Sequence, residues 1–132
     1  MIVLDASAAV DVVLERGGEG EWVASELAAA GSLHAPHLID SEFASTLRRL
    51  VLLGEISPEN GSAALGHYRQ LRLTRYPAEP LLGRIWELRD ALTAYDATYV
   101  ALAETLDVPL VTTDGRLSRT EGHRATVSAF PG

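Results

Sequence analysis

The sequence predicts an α/β fold with a mainly parallel sheet. Three observations carry this. The chain opens on a short apolar run, Ile2-Val3-Leu4, that stops at a carboxylate, Asp5. Strand-like and helix-like patterns then alternate along the whole chain. No repeat, low-complexity stretch or linker interrupts them, so residues 1–132 are expected to form one domain.

The elements follow in order. Ile2–Leu4 reads as a buried central strand, because two of its three residues are β-branched and none is polar. Ala6–Glu15 carries Val10, Val13 and Leu14 at helical spacing, and Gly17-Gly18 is expected to end that helix. Glu19–Ala30 is a second helix, with Trp22, Val23 and Leu27 on one side and Gly31 closing it. Ser32–Pro36 is a short strand halted by proline. His37 to about Ile56 is the longest helical pattern, with Ile39, Phe43, Leu47 and Leu50 on one face. Ser57-Pro58-Glu59 opens a helix to Gln70 with a Ser cap and a first-turn proline. Leu71–Tyr76 is a strand, Leu81–Leu92 a helix, and Thr93 opens a further helix to Leu106. Val108–Thr112 is a strand, Arg116–Thr120 a short helix and Ala125–Ser128 a last strand.

Composition narrows the function. The chain has no cysteine, which removes disulfides, zinc-thiolate sites and thiol nucleophiles together. No apolar run is long enough to span a membrane, and no basic stretch precedes an apolar one at the N-terminus, so a cytoplasmic protein is expected. The net charge of −7 argues against passive binding of nucleic acid through overall charge. Acids gathered to hold a cation would leave the remaining surface less negative than that total. Every basic residue is Arg and none is Lys. Arg suits bidentate contact with phosphate, although GC-rich coding gives the same bias.

Four acids stand at or near strand C-termini or helix N-termini: Asp5, Glu42, Asp96 and Asp114. In a parallel sheet those ends share one side, where ligands of α/β folds bind. Each acid also has a purely structural explanation. Asp5 can cap the first helix. Glu42 can be a first-turn acid favoured by the helix dipole. Asp96 completes a Thr93-x-x-Asp96 capping box, and Asp114 can fill the turn before Gly115. Taken together, four unpaired carboxylates beside apolar strands would repel and partly protonate. A hard divalent cation removes that cost. Mg²⁺ takes a few carboxylates plus water and phosphate, and Mn²⁺ suits the same oxygens.

The contexts Val3-Leu4-Asp5-Ala6-Ser7, Ser41-Glu42-Phe43, Thr93-Ala94-Tyr95-Asp96-Ala97 and Thr112-Thr113-Asp114 resemble the PIN-domain nucleases. More narrowly, the chain resembles the VapC toxins of bacterial toxin–antitoxin pairs over essentially its whole length. Thr93 to Glu104 is the most specific segment. The resemblance implies a three-layer α/β/α sandwich around a mainly parallel sheet of about five strands. It implies a type II toxin that cuts RNA internally, using Mg²⁺ or Mn²⁺. Asp5, Glu42, Asp96 and Asp114 would be the catalytic acids. Asp5 and Asp96 would be direct metal ligands, and Asp114 also belongs to the metal set. Glu42 and Asp114 would act through water or on a second ion. Ser7 and Thr112 would support the site by hydrogen bonds. Some relatives carry a further acid shortly after the fourth. Leu117 and Ser118 follow here, which leaves a second metal site incomplete. The resemblance further implies a VapB-type antitoxin, a homodimer, and an RNA substrate such as tRNA or ribosomal RNA.

Arg116 is the best-placed Arg for guiding RNA phosphates, being next to the proposed metal site. Arg48, Arg49, Arg69, Arg72, Arg75 and Arg119 are the other candidates. None of His34, His37, His67 and His123 is spaced as a metal pair, and Trp22, Trp86, Tyr95 and Tyr99 read as core. Asp40 points to another side of its helix than Glu42. Three rival readings fit parts of the pattern: a degenerate domain that binds RNA or a partner without cutting, an aspartyl phosphatase, and acids that serve only as caps. Ser7 disfavours the phosphatase, which needs a second acid two residues after the first.

Overall fold

Strand β1 (Ile2–Leu4) is buried at every residue and lies in the middle of the sheet. The computed structural model describes residues 1–132. The other elements are α1 (Ala6–Val13), α2 (Gly17–Ala29), β2 (Leu33–Pro36), α3 (Leu38–Leu52), α4 (Pro58–Arg69), β3 (Leu73–Tyr76), α5 (Leu82–Glu87), α6 (Ala94–Leu106), β4 (Leu110–Thr112), α7 (Arg116–Arg119) and β5 (Val127–Ala129). A 3₁₀ turn, Glu79–Leu81, leads into α5.

The five strands run in the order β3-β2-β1-β4-β5 and every pairing is parallel. In register, Val3 faces both His34 of β2 and Leu110 of β4. Helices α1 to α4 pack on one another, while α5 and α6 pack together and α6 lies across β1, β2 and β4. Successive strands thus step one way from β1 to β3, then return across the sheet to β4. With right-handed crossovers, this places the two helical groups on opposite faces. It also makes the β1–β4 junction the point where the winding reverses, and the crevice beyond such a junction is where open α/β sheets bind ligands.

The core explains the helix patterns. Ile39, Phe43, Leu47 and Leu50 of α3 are all buried, as their spacing predicts. Phe43 stacks on Tyr68 of α4 with ring centroids 4.0 Å apart. Helix α6 is buried at seven consecutive residues, Ala97 to Ala103, because it is covered by strands and by α5. Its alanines let the strands approach closely.

Several boundaries differ from the sequence reading. Gly17 begins α2 instead of ending α1, because the chain turns earlier, with Glu15 and Gly17 both in the left-handed region. The tight α1–α2 crossing also needs Gly20, where a Cβ would lie 2.6 Å from the Asp11 carbonyl oxygen. Helix α3 stops at Leu52, and Gly54 takes φ +75°. The helix expected over Leu81–Leu92 is regular only from Leu82 to Glu87 and closes in turns. Trp86 and Tyr95, expected in the core, are 67% and 63% exposed. Both belong to faces of α5 and α6 that no other element covers.

Candidate active site

Asp5 follows β1 immediately and caps α1. Its Oδ1 accepts the Ala8 amide at 2.9 Å and the Ser7 hydroxyl at 2.7 Å. The capping explanation is therefore true, but it is not sufficient. A cap is normally solvated, whereas Asp5 is only 6% exposed. Burial pushes its pKa up to about 6. Hydrogen bonding from Thr112, Ala8 and Ser7 opposes that rise without cancelling it, and the charge of Asp114 adds to it.

The end of β4 supplies the next group. Thr112 is fully buried, and its Oγ1 accepts the Asp114 amide at 2.9 Å. The Ser7 hydroxyl lies 3.3 Å from Thr112 Oγ1 and accepts the Thr113 amide at 3.3 Å. These bonds lock the two strand ends together and aim Asp114 at the side where Asp5 lies. The Arg116 guanidinium is paired with Asp114, and its Nη2 lies 3.8 Å from Asp96. That cation holds the Asp114 carboxyl below its usual pKa range.

Asp96 sits in the first turn of α6. Its amide donates to Thr93 Oγ1 at 3.1 Å, which is half of a capping box. The carboxylate does not complete the box by reaching back to the Thr93 amide, and its charged neighbour is Arg116. Glu42 comes from α3 on the other helical layer, and its Oε1 accepts the Tyr99 hydroxyl at 2.6 Å.

Asp5, Glu42, Asp96 and Asp114 line one cavity of about 490 Å³, together with Arg116 and Arg49. No three of the acids are close enough to form a ready coordination shell. The donor set is all oxygen and the deepest carboxylate is desolvated, which suits a hard divalent cation.

Other residues sort clearly. Arg49 faces the cavity, whereas Arg48 lines a separate groove between α3 and α4. Asp40 lies outside the site, as its helical phase predicts. It accepts from Tyr68 at 2.7 Å and from Arg75 at 2.8 and 2.9 Å, so Arg75 is committed to structure. His34 bonds Ser32 and Tyr76 and has a structural role. Sequence reasoning misses Arg16, which also lines the cavity, because the helical pattern of Ala6–Glu15 runs past the observed end of α1 at Val13. It also treats Tyr99 as simple core. The signal is there, since Tyr99 lies three residues after Asp96 and on the same side of a helix.

A parallel sheet with an acid-lined crevice at its winding reversal defines the class, and the PIN domain profile matches residues 2–123. The chain belongs to the PIN-domain family. Within it, the chain groups with the VapC ribonucleases. It is 49% identical over 131 residues to ribonuclease VapC9 of Mycobacterium tuberculosis, covering 99% of both chains. Two solved structures share the fold. One is Mycobacterium tuberculosis VapC20, described as a sarcin-ricin loop cleaving toxin, with a TM-score of 0.70, 15% identity, and coverage of 90% of this chain and 94% of that one. The other is VapBC2 of Rickettsia felis bound to a promoter DNA fragment, with a TM-score of 0.70, 14% identity, and coverage of 98% of both chains.

Proposed function

We propose that this chain is the toxin of a type II toxin–antitoxin pair, an endoribonuclease that hydrolyses RNA phosphodiesters with a divalent cation held among Asp5, Asp96 and Asp114. The nuclease and toxin assignments rest on its membership of the VapC ribonucleases. The metal dependence rests on one observation above all. Asp5 is a buried carboxylate at the winding reversal, facing a cavity that three further acids line. Nothing in the molecule favours a domain that binds without cutting.

When bound, Mg²⁺ or Mn²⁺ would neutralise phosphodiester charge and acidify a water for in-line attack. The chain's own residues do the rest. Ser7 and Thr112 orient Asp5 and the β4 end. Glu42 would act on the ion through a water and take that water's proton. Arg116 and Arg49 engage the RNA phosphates. Water is the nucleophile, so the products carry 5′-phosphate and 3′-hydroxyl ends. The RNA 2′-hydroxyl is not required as a nucleophile.

The partner is a VapB-type antitoxin, a reading supported by fold likeness to the VapBC2 complex. The toxin itself is a homodimer of the cytoplasm. No helix is long and apolar enough to cross a membrane. The substrate is a structured RNA, with tRNA and ribosomal RNA as the classes to compare.

The test is cleavage of end-labelled total RNA by antitoxin-free protein with Mg²⁺, with Mn²⁺ and with chelator, beside Asp96→Asn. Discrete metal-dependent fragments that the variant does not make support the proposal. Equal cutting in chelator, or by Asp96→Asn, rejects the metal site.

A further inference from the structure

We infer that Tyr99 is a positioning residue for Glu42, setting the direction from which that carboxylate enters the crevice. The inference rests on the nuclease reading above and deepens it.

The geometry is specific. The Tyr99 hydroxyl donates to Glu42 Oε1 at 2.6 Å, across 57 positions of sequence. It is the single hydrogen bond that the Glu42 carboxylate receives within the chain. Tyr99 is 3% exposed, so its ring is fixed by the packing of α6. Glu42 belongs to α3, in the opposite helical layer, and otherwise keeps the freedom of a long side chain. The donor sits one turn after Asp96 on the same helix. One rigid element therefore sets two of the four acids relative to each other, one directly and one through a hydroxyl.

Core packing does not require that hydroxyl. Phe would fill the same space without burying a polar group, and a buried hydroxyl is costly unless it finds a partner. Its one partner is Glu42. The neighbouring Tyr68, which bonds Asp40, shows the contrast. Its partner is outside the cavity and is already held by Arg75.

The experiment titrates Mn²⁺ without RNA, reading free ion by electron paramagnetic resonance. It compares wild type, Tyr99→Phe, Glu42→Ala and the double variant, with melting in chelator and RNA cleavage alongside. Tyr99→Phe is expected to melt within a few degrees of wild type and to bind Mn²⁺ several-fold more weakly. It should lower kcat about tenfold at unchanged KM for RNA, the usual scale for losing a hydrogen bond to a charged group. On the Glu42→Ala background it should add nothing. Tyr99→4-aminophenylalanine keeps a donor at the same place and should restore both properties. Wild-type Mn²⁺ affinity and kcat in Tyr99→Phe would overturn the inference and leave the nuclease standing. A further loss on the Glu42→Ala background, or no recovery with the amino analogue, also overturns it. Absence of Mn²⁺ binding by the wild type removes the metal-site reading, and this inference with it, while the family assignment stands.

Discussion

Ser7 and Thr112 bring their hydroxyl oxygens to 3.3 Å of each other from opposite ends of the chain, across the tips of β1 and β4. Both also lower the pKa of Asp5. Replacing Thr112 with Val removes one of these hydroxyls at nearly constant volume. The Asp5 carboxyl is then expected to titrate above 6, as followed by carbon-13 NMR of its carboxyl carbon. Stability should fall by about 1 kcal/mol, the usual net worth of a hydrogen bond. An unchanged Asp5 titration would show that Thr112 does not act on it.

Asp5 also governs how stability changes with pH. In the metal-free fold it holds its proton up to about 6, against 3.8 for the ordinary side chain. Between those values the folded state binds more protons than the unfolded one, so rising pH costs stability there. Below the window the cost is absent, and above it the cost is complete at about 3 kcal/mol. Asp5→Asn is therefore predicted to raise the melting temperature in chelator at pH 7. The gain should shrink towards zero as pH falls to about 4. A gain that does not depend on pH would contradict this origin.

Glu104 works in the opposite sense. Its side chain is 4% exposed, accepts Arg84 at 2.8 and 3.1 Å, and accepts the Arg124 amide at 2.6 Å. Its pKa is lowered, mainly by Arg84, so its contribution is present above the ordinary value of 4.5 and is lost as pH falls below it. Glu104→Ala should cost about 2–3 kcal/mol in urea unfolding at pH 7, because it takes both short carboxylate contacts from Arg84 and leaves it only the exposed Glu87 at 3.4 Å and the Gly122 carbonyl at 3.2 Å. It should also flatten the loss of stability in acid.

Arg116 is a competitor for the proposed ion. It is paired with Asp114 and lies 3.8 Å from Asp96, but it is exposed, so the pairing is weak and screened. Arg116→Ala should tighten Mn²⁺ binding a few-fold in calorimetry without RNA and raise KM for RNA. Weaker Mn²⁺ binding in this variant would mean that Arg116 helps to hold the acids in place.

Gly20 tests the fold away from the site. Its α-carbon faces the Asp11 carbonyl so closely that Gly20→Ala forces α1 and α2 apart. A loss of about 1–3 kcal/mol is expected in chemical unfolding, the usual cost of overpacking. No loss would mean that the helix pair adjusts freely.

Much of this architecture is legible in the residues. Ile2–Leu4 declares a buried strand, and the faces of α3 follow from spacing alone. Asp5, Asp96 and Asp114 could be nominated because they stand at or beside the end or start of an element, and a parallel sheet gathers such ends; Glu42, read as a first-turn acid, lies in the second turn of α3, where Asp40 holds the first. What periodicity does not carry is the identity of the covering element. Trp86 and Tyr95 fit an apolar pattern, yet both stay exposed, and what lies over the Trp86 ring is the Arg89 guanidinium at 4.7 Å, not a helix or strand. Leu88 and Leu92 keep helical spacing through turns that are not helix. Tyr99 hid its role because burial and function place the same demand on its ring, and only the position of its hydroxyl separates them.

The strand order also has a consequence in time. Of the five strands of the sheet, the central one is made before the others, and its β4 neighbour comes more than a hundred residues later. Until Leu110–Thr112 docks, a growing chain presents an open apolar edge along β1. The crevice also lacks one wall, and Asp114 with it. A partly synthesised molecule therefore lacks the fourth acid of the proposed site, and on that proposal the capacity to cut RNA arrives late in synthesis.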